Sequence, residues 1–329
     1  VELHYTRKEQ LLFPFLEKYG FMGPSKVMWG KDNEIRDLLK NSILIRKYLF
    51  SWMWRINWRA GRVLLAQSWP LMAGSALSTV YFSLDSIMLR FFQGSEAVGI
   101  YSAMYKIVFG FYLFATLYAS SVFPVLSQLF THAREEFMNL YRRSVQLMAG
   151  LGFLFGLTVT LFARPIIQIF FGEAYLAGTL TLQISIWSIM IFLVGVILYD
   201  ALIVAGKQKA LLWSVVISTV LNAILNIIFI PTWGIVGAAI ATVIAQVVQL
   251  LLNIYYLKAI IPVDFFSLIV KPTVMAGGSV VLFFAISLGL PTFVAAAFTI
   301  GSYLAMLFVG KILQLQEIRQ MIQVLIHRD

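Results

Sequence analysis

Eight stretches of about 20 apolar residues, each closed by Gly, Pro or charge, fill the chain from residue 68 onward, and a helix of that length spans a bilayer's hydrocarbon core. They run over 68–91, 98–123, 144–163, 180–204, 211–230, 234–257, 270–289 and 291–310. Hydrocarbon offers no water to backbone N–H and C=O groups, so each stretch must satisfy them internally as a helix. The expected fold class is all-α, a polytopic integral membrane protein of about eight transmembrane helices. Composition agrees, with 60% apolar residues and only 12% charged; soluble domains carry roughly a quarter. Soluble α/β enzymes and disulfide-built secreted scaffolds are thereby excluded, the latter also because the chain has no cysteine.

Charge is uneven along the sequence. Residues 1–62 hold 12 of the 25 Lys/Arg and 6 of the 15 Asp/Glu, which places a composition boundary near residue 62. Beyond it the basic residues gather in alternate gaps: Arg134, Arg142 and Arg143, then Lys207 and Lys209, then Lys258 and Lys271, then Lys311, Arg319 and Arg328. The intervening gaps carry only Arg90 and Arg164. By the positive-inside rule both termini are expected to be cytoplasmic, and topology explains the net charge of +10 better than nucleic acid does. Two amphipathic stretches read as helices on the inner surface. YLFSWMWRINWRAGRVLL sets Arg55, Arg59 and Arg62 beside Trp52, Trp54 and Trp58, and KILQLQEIRQMIQVLIHRD alternates Ile and Leu with Gln and Arg at helical spacing. A solvated connector touching another protein domain is the alternative.

A charge inside a span needs a partner, a watery cavity or a task. Asp85 lies about seven residues from the outer end of the first span and Lys106 about eight from the outer start of the second, both about 10–12 Å deep, so adjacent antiparallel helices could pair them. Such a pair either faces a translocation cavity, where Lys106 receives phosphate or Asp85 takes a proton, or locks two helices together. Asp200, near the inner end of the fourth span and close to Lys207 and Lys209, suits a structural or gating role. Asn222 and Asn226 stand one turn apart on the fifth span, and Thr242, Gln246, Gln249 and Asn253 follow one face of the sixth. Faces of this kind line water or bond helix to helix. Pro70 and Pro124 remove backbone donors, which suits elements that bend and also occurs in static bundles.

Catalysis has little to work with. The three histidines, His4, His132 and His327, all lie outside the spans, and no phosphate loop or metal-spaced Cys/His set occurs in the membrane region. No enzyme activity and no cofactor are expected.

Residues 68–130, SWPLMAGSALSTVYFSLDSIMLRFFQGSEAVGIYSAMYKIVFGFYLFATLYASSVFPVLSQLF, resemble the start of the second lobe of Wzx-like polysaccharide flippases, a branch of the exporter superfamily that includes the multidrug and toxin extrusion transporters. AGKQKALLWSVVISTVLNAILNIIFIPTWGIVGAAIATVIAQ (205–246) resembles a later helix pair of that family, and WRINWRAGRVLLAQSWP (54–70) its connector between lobes. The resemblance covers about residues 44–329. It implies a six-helix lobe that rocks against a second lobe and carries a lipid-pyrophosphate-linked oligosaccharide across a bacterial or archaeal cytoplasmic membrane. Asp85 then resembles the acidic position of the first second-lobe helix and Lys106 the basic residue of YSAMYK. Ser83 departs from the pattern, which has a basic residue two places before the acid. HYTRKEQLLFPFLEKYGFMGPSKVMWGKDNEIRDLLK (4–40) resembles part of a hemerythrin-like cation-binding domain, with His4 and Glu9 at ligand positions, although Lys31 and Asp32 stand where a second histidine is expected.

The expected organisation is a hemerythrin-like segment (1–42), a cytoplasmic connector (43–67), a six-helix lobe (68–257), two accessory helices (258–310) and an interfacial helix (311–329). The absence of an initiator Met and of a first lobe points to a fragment or a joined chain with a junction near residues 40–44. Its partners would be the bilayer, the lipid-linked oligosaccharide, and a second lobe or a second copy. A drug or cation exporter of the same superfamily, which would place more carboxylates in its cavity, and a non-transporting subunit with a metal-sensing start are the alternatives.

Overall fold

The computed structural model describes residues 58–262 and 264–313. They form α1 (Trp58–His132), α2 (Arg134–Phe171), a 3-10 turn (Glu173–Gly178), α3 (Thr179–Ser185), α4 (Trp187–Val204), α5 (Gln208–Lys258), α6 (Phe265–Ser287) and α7 (Thr292–Val309). Residues from Gln67 to Ile318 make up one unit; of the other, residues 1–66 with 319–329, only the helical stretch 58–66 is described. The expected hemerythrin-like segment with His4 and Glu9, most of the expected connector and the part of the expected interfacial helix beyond Leu313 therefore lie outside the described residues.

Two of these helices are hairpins. Asp85 and Tyr101 are sixteen residues apart and would stand about 24 Å from one another on a straight helix, yet their side chains bond at 2.6 Å. Asn222 and Thr242, about 30 Å apart on the same reckoning, are joined at 3.4 Å. The chain reverses at Gly94 (φ 83°, ψ −171°) and Gly234 (φ 56°, ψ −131°), conformations that favour a residue without Cβ. Six helical stretches are long and apolar enough to cross a membrane. The two glycines divide α1 and α5, Gly94 in the gap expected between two apolar windows and Gly234 at the first residue of the window 234–257.

Proline disturbs one helix and not another. Gly94 is the non-helical position inside α1, so the helix runs on through Pro70 and Pro124. Ser120 and Ser121, about one turn before Pro124, both donate to the Leu117 carbonyl. In α2, by contrast, Phe162 leaves helical geometry (φ −107°, ψ 16°) three residues before Pro165, whose ring and missing N–H disrupt the preceding turn.

Packing centres on α2 and α4. Gly152 and Gly156, one turn apart on α2, let α4 approach closely: a Cβ on Gly152 would lie 2.6 Å from the Met190 Cα, and one on Gly156 3.1 Å from the Trp187 ring. Met104, Phe137, Met148, Ile167, Leu182, Ile189, Leu193 and Ile197 are fully buried around this contact. The pair α6 and α7 docks on α2 through Leu157, Ala276, Tyr303 and Leu307, with the Tyr303 hydroxyl donating to the Gly150 carbonyl at 3.1 Å. Outward faces stay apolar, as Val274, Val281, Phe284 and Phe298 illustrate, which suits contact with lipid. The chain is a multi-pass membrane protein.

Several basic corners share one end of the unit. Arg134 donates to the Ile260 carbonyl at 2.6 Å while its guanidinium lies over Phe130 and Phe137, so the α1–α2 and α5–α6 corners meet. Lys271 donates to the carbonyl of Gly310 beside Lys311. The two hairpin turns also meet, through the Gln93 amide and the Ile230 carbonyl at 3.3 Å. Asp264 caps α6 by accepting the Phe266 N–H at 3.2 Å.

Candidate functional site: a buried polar ring around Asp85

Three helical segments each bring a polar pair at a spacing of four residues, the spacing that stacks side chains on one face. The first half of α1 carries Tyr81 and Asp85, the first half of α5 carries Asn222 and Asn226, and its second half carries Thr242 and Gln246. These faces converge with Tyr101 from the second half of α1.

Asp85 is 3% exposed. Its Oδ1 accepts from Asn226 at 2.7 Å, and its Oδ2 accepts from Tyr101 at 2.6 Å and from Thr242. The Asn226 amide also donates to Asn222 Oδ1 at 3.2 Å, and the Asn222 amide donates to Thr242 Oγ1 at 3.4 Å. Asp85, Asn226, Asn222 and Thr242 thus close a ring of hydrogen bonds. Tyr81 adds a bond to the Thr242 carbonyl at 3.2 Å, and Gln246 donates to the Tyr112 hydroxyl at 3.3 Å. Each bond to a charged group contributes about 1.5–3 kcal/mol, so the ring both holds the hairpins together and keeps an acid deep in an apolar bundle.

Chemically the ring can hold a proton or a small cation, because the oxygens of Asp85, Asn222, Asn226 and Thr242 are hard donors. Asn226 Oδ1 and Gln246 Oε1 have acceptor capacity to spare, being buried without a hydrogen-bond partner among the described residues. No group of three or more His, Cys, Asp or Glu side chains stands together among the described residues.

The expected pairing of Asp85 with Lys106 is corrected. Tyr101 points at Asp85, and Lys106 lies five residues on, about 140° further round the helix; it is exposed, and Asp85 is satisfied by uncharged donors. The polar face of α5 divides as well. Thr242 and Gln246 join the cluster, Asn253 bonds instead to Ser214 at 2.8 Å, and Gln249 is half-buried between them. Asp200 is buried near the end of α4, with Oδ2 unpartnered among the described residues, and makes no ion pair with the exposed Lys207 and Lys209. Pro70 is buried and Pro124 exposed, both away from the ring. Tyr81, Tyr101 and Tyr112 were not anticipated; the available signal was the spacing of Tyr81 four residues before Asp85.

The fold has relatives. The chain matches an inward closed lipid II flippase MurJ with a TM-score of 0.57 at 18% identity, covering 90% of this chain and 63% of that one. It matches an outward-facing multidrug resistance transporter of the MATE family and MOP superfamily at 0.54 and 18% identity, covering 73% and 62%. The chain shares its fold with these two transporters. Residues 39–130 match the family model described as polysaccharide biosynthesis protein. Over 195 residues the chain is 28% identical to a probable low-salt glycan biosynthesis flippase, Agl15, of Haloferax volcanii, covering 58% of this chain and 41% of the relative. It is 26% identical over 193 residues to the capsular polysaccharide biosynthesis protein CapF of Staphylococcus aureus, covering 58% and 48%. The chain thus spans less than half the length of these curated relatives. None of these matches supports the hemerythrin-like resemblance of residues 4–40.

Proposed function

We propose that this chain is the C-terminal lobe of a flippase that carries a lipid-linked oligosaccharide across the cytoplasmic membrane by alternating access. The observation that carries the reading is Lys106. It is exposed on α1, twelve residues past the turn at Gly94 and so about 18 Å along the helix, near the middle of the hydrocarbon. A cation at that depth calls for an anion or a watery cavity, and the pyrophosphate of a polyprenyl-linked sugar supplies the anion. Exposed Ser75, Thr79 and Ser83 give the first half of α1 a hydroxyl stripe at four-residue spacing, suited to sugar hydroxyls. The exposed charge here is positive and Asp85 is enclosed, which favours an anionic lipid over the cations of a drug exporter.

Two lobes are needed for rocking. The second comes from another chain, from further sequence, or from another copy of this one. The basic corners near Arg134, Lys258 and Lys311 face the cytoplasm in this reading.

The test is translocation of a fluorescent polyprenyl-pyrophosphate oligosaccharide in reconstituted vesicles, read by protection from a membrane-impermeant quencher. The chain is assayed alone and joined to the first-half helices of a related flippase. Faster movement than in protein-free vesicles, with no effect on a fluorescent phosphatidylcholine, is expected in at least one arm. Rates equal to protein-free vesicles in both arms refute the proposal.

A further inference from the structure

Hydroxyl groups on these helices commonly donate back to a carbonyl one turn earlier, as Ser75, Thr79, Ser83, Ser218, Thr219, Ser279 and Thr299 all do. Thr181, Ser185 and Ser188 do not. All three are buried, and their hydroxyl oxygens have no hydrogen-bond partner among the described residues. At spacings of four and three residues they fall on one face of α3 and the start of α4.

What that face looks at is fixed at both ends. Three residues before Thr181, a Cβ on Gly178 would meet Ile100 and Met104 of α1 at 2.9 Å. Four residues after Ser188, the Phe192 ring lies 4.1 Å from the Tyr112 ring. The face therefore runs alongside α1 from Ile100 to Tyr112. The Tyr112 hydroxyl accepts from Gln246 at 3.3 Å. Gln246, with its own unpartnered Oε1, is one turn from Thr242 of the Asp85 ring, and Tyr101 bonds Asp85 directly. At the other end Thr181 sits about one turn inside the 3-10 turn Glu173–Gly178, where Glu173, Ala174 and Ala177 are exposed.

Buried polar atoms that find no protein partner are met by water where the site is polar. Of the orphaned oxygens among the described residues, those of Thr181, Ser185 and Ser188 share one helix face. We propose that Thr181, Ser185, Ser188 and Gln246 hold a file of water molecules between α1, α3, α4 and α5, which connects the enclosed Asp85 ring to the aqueous surface at the Glu173–Gly178 turn. The file lies within the lobe and is separate from the exposed face of α1 that carries Lys106. It stands whether or not the chain moves a lipid-linked sugar.

The chain has no cysteine, so a single introduced thiol gives the protein's sole S–H infrared band. Thr181→Cys, Ser185→Cys and Ser188→Cys are placed one at a time in the full chain in lipid bilayers, with Ile189→Cys and Leu193→Cys, both fully buried, as dry references. The probe is D2O, and the readout is the rate at which the S–H band is lost to exchange. Exchange at the three file positions faster than at the references by about tenfold or more is expected. A Ser185→Leu plug should slow exchange of Ser188→Cys and leave that of Thr181→Cys unchanged. File thiols that exchange as slowly as the references overturn the proposal, and so does a plug without effect on Ser188→Cys. Far-ultraviolet circular dichroism of each variant separates these outcomes from misfolding.

Discussion

Asp85 and Asn226, 141 residues apart in sequence, meet at 2.7 Å and tie the first hairpin to the second. Asn226→Leu keeps similar volume but removes the donor from one carboxylate oxygen. We expect it to lower stability by about 1.5–3 kcal/mol, the contribution of a hydrogen bond to a charged group. Lys106→Met should leave stability nearly unchanged, because Lys106 is exposed and Asp85 takes its bonds from Tyr101, Thr242 and Asn226. Thermal unfolding of the two variants in detergent decides the matter. Equal losses would restore a structural Asp85–Lys106 lock.

The hairpin turns rest on two glycines whose φ is positive. Gly94→Ala and Gly234→Ala should each cost about 1–3 kcal/mol, the usual cost of holding a residue with a Cβ in sparsely populated backbone space. Gly74→Ala is the internal reference: it sits in open space within a regular helix. There the exchange should be neutral or stabilising by up to about 1 kcal/mol. A destabilisation by Gly74→Ala matching that of the turn variants would mean that helix context, not φ, sets the penalty.

Contact between α2 and α4 should show a graded response. A methyl on Gly152 meets a backbone atom, the Met190 Cα, at 2.6 Å, whereas one on Gly156 meets the edge of the Trp187 ring at 3.1–3.4 Å. Backbone cannot step aside without moving a helix, and a ring can tilt. Gly152→Ala should therefore destabilise by about 1–3 kcal/mol, the range for overpacking, and Gly156→Ala by less. The order of the two melting temperatures is the measurement, and a reversed order would contradict the packing described.

Sequence reading found the apolar helices because apolar length is a one-dimensional property, and FFQGSEAVG and PTWG already held the glycines that turn the chain. It found Asp85, Asn222, Asn226 and Thr242 because a polar residue in an apolar window stands out. It missed Tyr101 and Tyr112, since a tyrosine in such a window looks like one more core aromatic until its hydroxyl is seen to bond. The mistaken Asp85–Lys106 pair has a geometric origin. Counting residues from a span's end gives depth and says nothing of rotation about the helix, and it is rotation that separates Lys106 from Tyr101. Pro70 and Pro124 left the place of bending open for a related reason. A helix can absorb a proline when its surroundings allow, and in α1 the bend falls at Gly94.

Lys106 offers the sharpest functional prediction, because its expected contribution is to cargo and not to the fold. If its ammonium meets a pyrophosphate, Lys106→Gln should weaken binding of a polyprenyl pyrophosphate to the reconstituted chain by about tenfold or more, the worth of one charge-assisted contact. Lys106→Arg should retain most of the affinity, since charge is what the contact requires. Binding of the uncharged polyprenol should be the same for all three proteins, which separates recognition of the anion from adsorption of the lipid tail. Titration of each lipid in vesicles, followed by tryptophan fluorescence, reads these affinities. Thermal unfolding run in parallel should show the Gln variant as stable as the parent. Unchanged pyrophosphate binding in Lys106→Gln would show that the exposed ammonium on α1 serves something other than the phosphate of a lipid-linked sugar.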